Sequence, residues 1–330
     1  MKNCTNAALF SKRIAINPIA LCLIKPSIII DGSKFKEEKV GWGLELLNIP
    51  HYWEKSKGKG VKVAVLDSGV AEHSNLKGAV VETKNFTTTT DGGIDSNGHG
   101  THCIGIIAAN TEGQGMLGVA PACNIYSAKV INNKGGDSIN ALVRAIHWAI
   151  EKEVHIISIS MICSYGDEKN IKEAIQLAVE HGIFVVAAVG NEGKFVDAVH
   201  FPAKYEEVIA VGAIDEQLNI TAYSSQGEGI DLVAPGDNIL STHLDGHFAW
   251  VSGTSTAVPF VVGQIALGLS LYFKCTKNKT VGVHYNSLKQ LFLNSTIQLG
   301  ELKKNKIYGA GILDLEEVFR TIEEGEYKSI

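Results

Sequence analysis

The sequence predicts a three-layer α/β fold with a central, mainly parallel β-sheet flanked by helices. Three observations carry that expectation. Short, almost continuously apolar runs recur from about residue 60 onward, segments of helical period separate them, and several runs end in a residue able to do chemistry.

The elements follow in order. VKVAVLD (61–67), NIYSAKV (124–130), HIISIS (155–160) and IFVVAAVG (183–190) are too evenly apolar for half-exposed strands and suit strands covered on both faces. Between them, THCIGIIAA (101–109), SINALVRAIHWAIEK (138–152) and NIKEAIQLAVEHG (170–182) have helical spacing, the last stopped by His181-Gly182. Such alternation implies right-handed crossovers between parallel strands. Beyond residue 205, EVIAVGAID, GIDLVAP and HFAWVSG read as shorter strands. A long apolar helix over about 254–273 follows, then helices near 285–295 and 315–323. No internal repeat or low-complexity linker divides the chain, and residues 1 to about 40 form a mixed extension of their own.

Bulk properties narrow the function. The chain has 330 residues, 45% apolar and 20% charged, enough for one large α/β domain. Thirty Lys and Arg against thirty-five Asp and Glu give a net charge of −5, and no basic run marks a nucleic-acid partner. No uninterrupted apolar stretch of membrane-spanning length is present, so no membrane span is expected. The run IAINPIALCLI near the N-terminus is broken by Asn17 and Pro18 and lacks a small-residue cleavage pattern, which argues against a secretory signal. The six cysteines, at 4, 22, 103, 123, 163 and 275, form no CxxC pair and read as buried reduced thiols. A cytoplasmic location is the expectation, with secretion the runner-up.

In a parallel sheet, reacting groups gather beyond the carboxyl ends of the strands. There the chain sets Asp67, Asn191 and Ser255, while His99 opens the first long helix within NGHGTH (97–102). Each has an ordinary reading. Asp67 could cap a turn or hold a ribose, His99 could cap its helix, and Asn191 and Ser255 could be turn residues. Together they make a different sum. A serine hydroxyl needs a histidine base, the histidine needs a carboxylate, and the tetrahedral intermediate needs donors at its oxyanion. A zinc reading of His99 with His102 lacks the glutamate and the i, i+4 spacing of zinc proteases. A nucleotide-binding reading of Asp67 lacks a G-x-G-x-x-G after the first strand.

The motifs resemble those of the subtilisin-like serine proteases, over about residues 41–318. VAVLDSGV (63–70) is similar to the family's aspartate motif, DSNGHGTHCIGIIAA (95–109) to its histidine motif, AAVGNEG (187–193) to its oxyanion asparagine and SGTSTAVP (252–259) to its serine motif. The layout is most similar to the intracellular branch. The resemblance implies a serine endopeptidase with Asp67, His99 and Ser255 as catalytic triad and Asn191 in the oxyanion hole. It implies no organic cofactor. The runner-up is a non-catalytic scaffold that binds peptides.

The resemblance further implies that an extended peptide binds between KGG (134–136) and SISMI (158–162), with Gly135, Gly136, Ser160, Met161 and Ile162 in contact. Ile162 stands where the family usually has glycine, so it either narrows the pocket or points into the core. Calcium is a possible cofactor: ANTEGQGM (109–116) has the length of the family's metal loop, which implicates Asn110, Glu112, Gln114 and Met116. Against it, Asn75 stands where the family often has an acidic residue. Residues 1–40 are expected to be an N-terminal extension, a candidate short propeptide, and 41–330 the peptidase domain. Part of 14–31 is expected in or over the cleft. Thr256 and Phe260 replace the methionine and histidine usual in the serine motif; the Thr256 hydroxyl should bond back to a carbonyl.

Overall fold

A computed structural model describes residues 19–21, 27–111, 113–163, 169–194, 199–300 and 305–329. Three short strands lie before the main sheet: β1 (Ile19–Leu21), β2 (Ile28–Ile30) and β3 (Glu38–Lys39). Helices α1 (Trp42–Leu46) and α2 (Ile49–Tyr52) lead into β4 (Lys62–Asp67), then β5 (Val80–Asn85) and α3 (His99–Ala108). Next come β6 (Gly115–Met116), β7 (Asn124–Lys129), β8 (Gly136–Asp137) and α4 (Ile139–Glu151). The middle of the chain adds β9 (Ile156–Ile159), β10 (Met161–Cys163), α5 (Lys169–Glu180) and β11 (Phe184–Ala188). Then follow β12 (Ile209–Ile214), β13 (Leu232–Pro235), β14 (Ile239–Thr242) and β15 (Phe248–Val251). The chain closes with α6 (Thr254–Thr276), α7 (Tyr285–Asn294), β16 (Thr296–Ile297), β17 (Ile312–Leu313) and α8 (Leu315–Glu324).

Seven strands form the central sheet in the order β13-β12-β11-β9-β4-β7-β5, and every pair is parallel. Alternate residues of a strand serve opposite layers. Val63 and Val65 join the apolar layer containing α6, while Ala64 and Leu66 join the layer containing α4 and α5. Covering on both faces is why β4, β9, β11 and β12 need apolar residues at nearly every position.

Helix α6 has no polar side to present, because all its residues from Thr254 to Leu269 are buried. It is long and apolar enough to cross a membrane, yet it is the central helix of the core. Two strands depart from the expected pattern. β5 has only half-buried and exposed positions and carries Glu82 and Lys84, as an edge strand of the sheet does. β14 (ILST) is four residues long and pairs antiparallel with β15 in a separate three-stranded sheet completed by β2. Of the cysteines within the described residues, Cys103, Cys123 and Cys163 are buried thiols. Cys275 is an exposed one, because it lies in the last turn of α6, where the helix leaves the core.

Sheet order locates the reacting end. The chain leaves β4 toward β5 and β7 on one side and toward β9 on the other, so β4 is where the strand order reverses. A crevice opens at the carboxyl end of such a strand, and Asp67 is the last residue of β4.

Candidate active site

Asp67 and His99 are both buried, and His99 Nδ1 lies 2.7 Å from Asp67 Oδ1. The same oxygen accepts the Ser68 N–H at 2.7 Å, which ties the carboxylate to its own turn. Burial alone would push the His99 ring below its usual pKa, but the Asp67 carboxylate outweighs it and holds the ring well above that value. Against the carboxylate, Nδ1 is the donor nitrogen, and Nε2 faces the Cys103 sulfur.

The loop before His99 is built by Asp95, a buried residue the sequence reading passed over. Its Oδ1 accepts from Ser68 Oγ and from the N–H groups of Asn97 and Gly98, each at 2.9 Å. Its Oδ2 accepts from Thr101 N at 2.9 Å and Thr101 Oγ1 at 2.7 Å. One carboxylate thus caps the first turn of α3 and ties it to the turn after β4. Gly98, the residue before His99, has φ +92°, and a Cβ there would lie 2.2 Å from His243 Nε2. The available signal was Asp-Ser-Asn-Gly, a cap and turn sequence directly before a helix.

Ser255 is the second residue of α6 and is buried. Pro259 sits four residues on, inside the helix, and has no N–H to give the Ser255 carbonyl. Two side chains take that carbonyl instead: Ser160 Oγ donates at 3.0 Å and Cys103 Sγ at 3.6 Å. The Cys103 sulfur also lies 3.8 Å from His99 Nε2, so one thiol touches both the histidine and the serine turn. Burial raises the Cys103 pKa, which keeps it a neutral thiol. Asn191 follows β11, and its Oδ1 accepts from Thr254 N and Thr254 Oγ1, both at 2.9 Å. With the oxygen pinned, the side-chain NH2 has a fixed orientation beside the start of α6. First-turn amides of a helix point out of its end, where negative charge is favoured. The assembly brings a carboxylate–imidazole pair, a hydroxyl and amide donors to one crevice, the set required for acyl transfer.

A model of the subtilase family matches residues 58–311. The chain belongs to the subtilase family. It is 41% identical over 233 residues to an intracellular serine protease of Paenibacillus polymyxa, covering 68% of this chain and 71% of that protein. Against the major intracellular serine protease of Bacillus subtilis (strain 168) it is 41% identical over 236 residues, 68% of this chain and 73% of the other. Against Subtilisin Savinase of Lederbergia lenta it is 34% identical over 286 residues, 86% of this chain and the whole of the other. This subtilase is a serine endopeptidase, and its substrate is a peptide.

The remaining expected residues fall as follows. In this subtilase, Gly136 lies in β8, and Met161 and Ile162 lie in β10. Gly135 (φ +84°) has open space where a side chain would stand. Between β8 and β10 runs the chain's own β1, antiparallel to both: Ala20 pairs with Gly136 and Ile162, and Leu21 with Met161. Ile162 is buried and joins the apolar layer around α6, which favours its core reading. His102, inside α3, sits within hydrogen-bond reach of the carbonyls of Ile239 and Ala249 through Nε2 and serves as a structural tie. Thr256 Oγ1 bonds the Gly253 carbonyl at 2.8 Å and the Gly236 carbonyl at 3.0 Å, as its hydroxyl required. Phe260 is buried and fills the space left by the missing side chain of Gly43.

At the loop expected to hold calcium, the described residues bond one another. Glu112 lies outside the described residues, and Met116 is buried in β6. The carbonyls of Asn110 and Gln114 both accept from the Asn75 side-chain NH2, at 2.8 and 3.0 Å. A hard cation needs six to eight oxygens turned inward; here the group facing those carbonyls is an N–H donor. As they stand, the described residues of this loop do not fit a calcium ion.

Proposed function

We propose that Ser255 is the nucleophile of this endopeptidase, His99 its general base, Asp67 the group that orients and stabilises the imidazole, and Asn191 an oxyanion donor. The observation that carries the reading is the buried Asp67–His99 pair joined to the Ser255 turn through Cys103. In the first step, the Ser255 hydroxyl gives its proton to His99 Nε2 as Oγ bonds to the scissile carbonyl carbon. The carbonyl oxygen becomes an oxyanion facing the Asn191 NH2 and the Ser255 N–H. Collapse breaks the C–N bond, and His99 passes the proton to the departing amine. Water then enters, His99 takes its proton, and the Ser255 ester is hydrolysed, which returns the enzyme.

The substrate binds as an extended strand between Gly135–Gly136 and Ser160–Ile162. The antiparallel seat of β1 between β8 and β10 supports this, because those backbone groups already accept a middle strand. It equally supports residues 1–40 as an N-terminal extension that restrains activity by occupying the cleft, with 41–330 as the peptidase domain. The names of the Paenibacillus and Bacillus relatives favour an intracellular, cytoplasmic enzyme; protein turnover, or precursor or leader processing, is the role proposed for it. Secretion is the second reading, favoured by the similarity to the minor extracellular protease Epr of Bacillus subtilis (strain 168).

A fluorophosphonate probe tests the assignment. It should label the wild type, and Ser255→Ala should abolish both labelling and peptide hydrolysis. Labelling that survives the substitution refutes the role of Ser255. Removing residues 1–27 should raise hydrolysis of a short peptide; an unchanged rate refutes the restraint.

A further inference from the structure

The turn at Ser74–Leu76 and the loop at 110–116 meet at one buried side chain, that of Asn75, and the entry strand β3 pairs with the same loop. Its NH2 donates to Asn110 O at 2.8 Å and Gln114 O at 3.0 Å, so it spans the mouth of the loop. Its backbone carbonyl accepts the Asn110 N–H at 2.8 Å, and its own N–H goes to His73 Nδ1 at 3.1 Å. Gly115 (φ +99°) closes the other side, where a Cβ would lie 2.1 Å from Asn75 Oδ1. The same glycine donates to the Glu37 carbonyl and pairs with Glu38 of β3. The orientation of the amide follows from these partners. Turned over, its oxygen would set a third acceptor against the two carbonyl oxygens.

We propose that the Asn75 carboxamide does here what a bound calcium ion would do for an acidic residue at this position. It clips the 110–116 loop to the 73–76 turn with two N–H···O=C bonds, and this chain holds the loop without metal. The physical argument is one of sign. Two convergent carbonyl oxygens form a negative mouth that must be answered by positive charge. An amide NH2 carries partial positive charge in its hydrogens and satisfies both oxygens in place. A carboxylate adds negative charge instead and becomes tolerable only when a cation enters between the oxygens. The identity of residue 75 therefore decides whether the loop depends on metal. Because the loop leaves the end of α3, and α3 begins at His99, the clip also secures the far end of the helix that carries the base.

The test is thermal unfolding of the full chain carrying Ser255→Ala, so that self-digestion plays no part, in chelator and in millimolar calcium. Its readout is folding, so it stands or falls apart from the role assigned to Ser255. With Asn75 in place, the melting temperature and the amide hydrogen-exchange protection of residues 110–116 should be the same in both media. Asn75→Asp should melt about 3–6 °C lower in chelator and recover in calcium, with loop protection becoming calcium-dependent. Asn75→Ala should be destabilised in both media alike, which separates loss of the clip from gain of a site. Calcium-dependent protection of the loop with Asn75 present overturns the proposal. So does an Asn75→Asp protein that calcium fails to restore.

Discussion

Replacing Gly98 with alanine should destabilise the fold by about 3–5 kcal/mol, and that cost has two separable parts. The backbone there has φ +92° and ψ −10°, a left-handed conformation that costs an L-residue about 1–2 kcal/mol. The added Cβ would also stand 2.2 Å from Nε2, 2.6 Å from Cε1 and 2.8 Å from Cδ2 of His243. That ring is buried, so it must be displaced from a packed site, an overpacking cost of about 2–3 kcal/mol. A double-mutant cycle divides the two. In a His243→Ala background, Gly98→Ala should keep only the backbone share, leaving a coupling of about 2 kcal/mol between the sites. Denaturant unfolding of the four proteins, with equal m-values, measures it. Because His99 is the next residue, kcat should fall in the single mutant and recover partly in the double. Equal costs in both backgrounds would refute the packing argument and leave only the backbone.

The other expectations are these. Asp67→Asn should lower kcat on the order of 10⁴-fold. It should also move the acid limb of kcat/KM to lower pH, because it removes the charge that holds the His99 pKa high; an unmoved limb would show that another group titrates. Asn191→Ala should lower kcat about 10²–10³-fold with little change in KM, a magnitude known from subtilisin, a member of this family. A matching rise in KM would mean that it acts on ground-state binding. His102 is buried with its pKa held at about 3, so below its unfolded value of 6.5 the unfolded chain binds a proton that the native state refuses. Stability should then fall by about 1.4 kcal/mol per pH unit as pH drops from 6.5 toward 3. His99, raised by Asp67, works with the opposite sign, its contribution present below 6.5 and lost as pH rises through its folded value. Comparison with His102→Gln isolates the first effect: the slope of the urea midpoint against pH should shrink, and an unchanged slope would refute it.

Much of this molecule was legible in its sequence because the strongest signals are local. Strands covered on two faces are apolar at nearly every position, so β4, β9, β11 and β12 announced themselves. Asp67, His99, Asn191 and Ser255 stood at strand ends or helix starts, where chemistry collects. β5 escaped because its half-exposed residues, VVETKN, carry charge, and β14 because ILST is short and follows a turn. Helix α3 begins at His99 itself, two residues earlier than its apolar pattern suggested, since Asp95 supplies the cap from outside the helix. Cys275 was misjudged as buried because helical spacing does not say where a long helix leaves the core.

By itself the sequence determined the sheet class, the order of the proposed reacting residues and their placement at strand ends or helix starts, since periodicity and turn chemistry act within a few residues of chain. Tertiary structure alone decided the contacts that join distant segments. Cys103 and Ser160 take a carbonyl that Pro259 leaves without its helical donor, and β1 enters between β8 and β10. Asn75 meets two carbonyls from a loop some 35 residues away. No local pattern encodes these pairings, because a hydrogen bond depends on where two backbones come together in space and not on how far apart they stand in the chain.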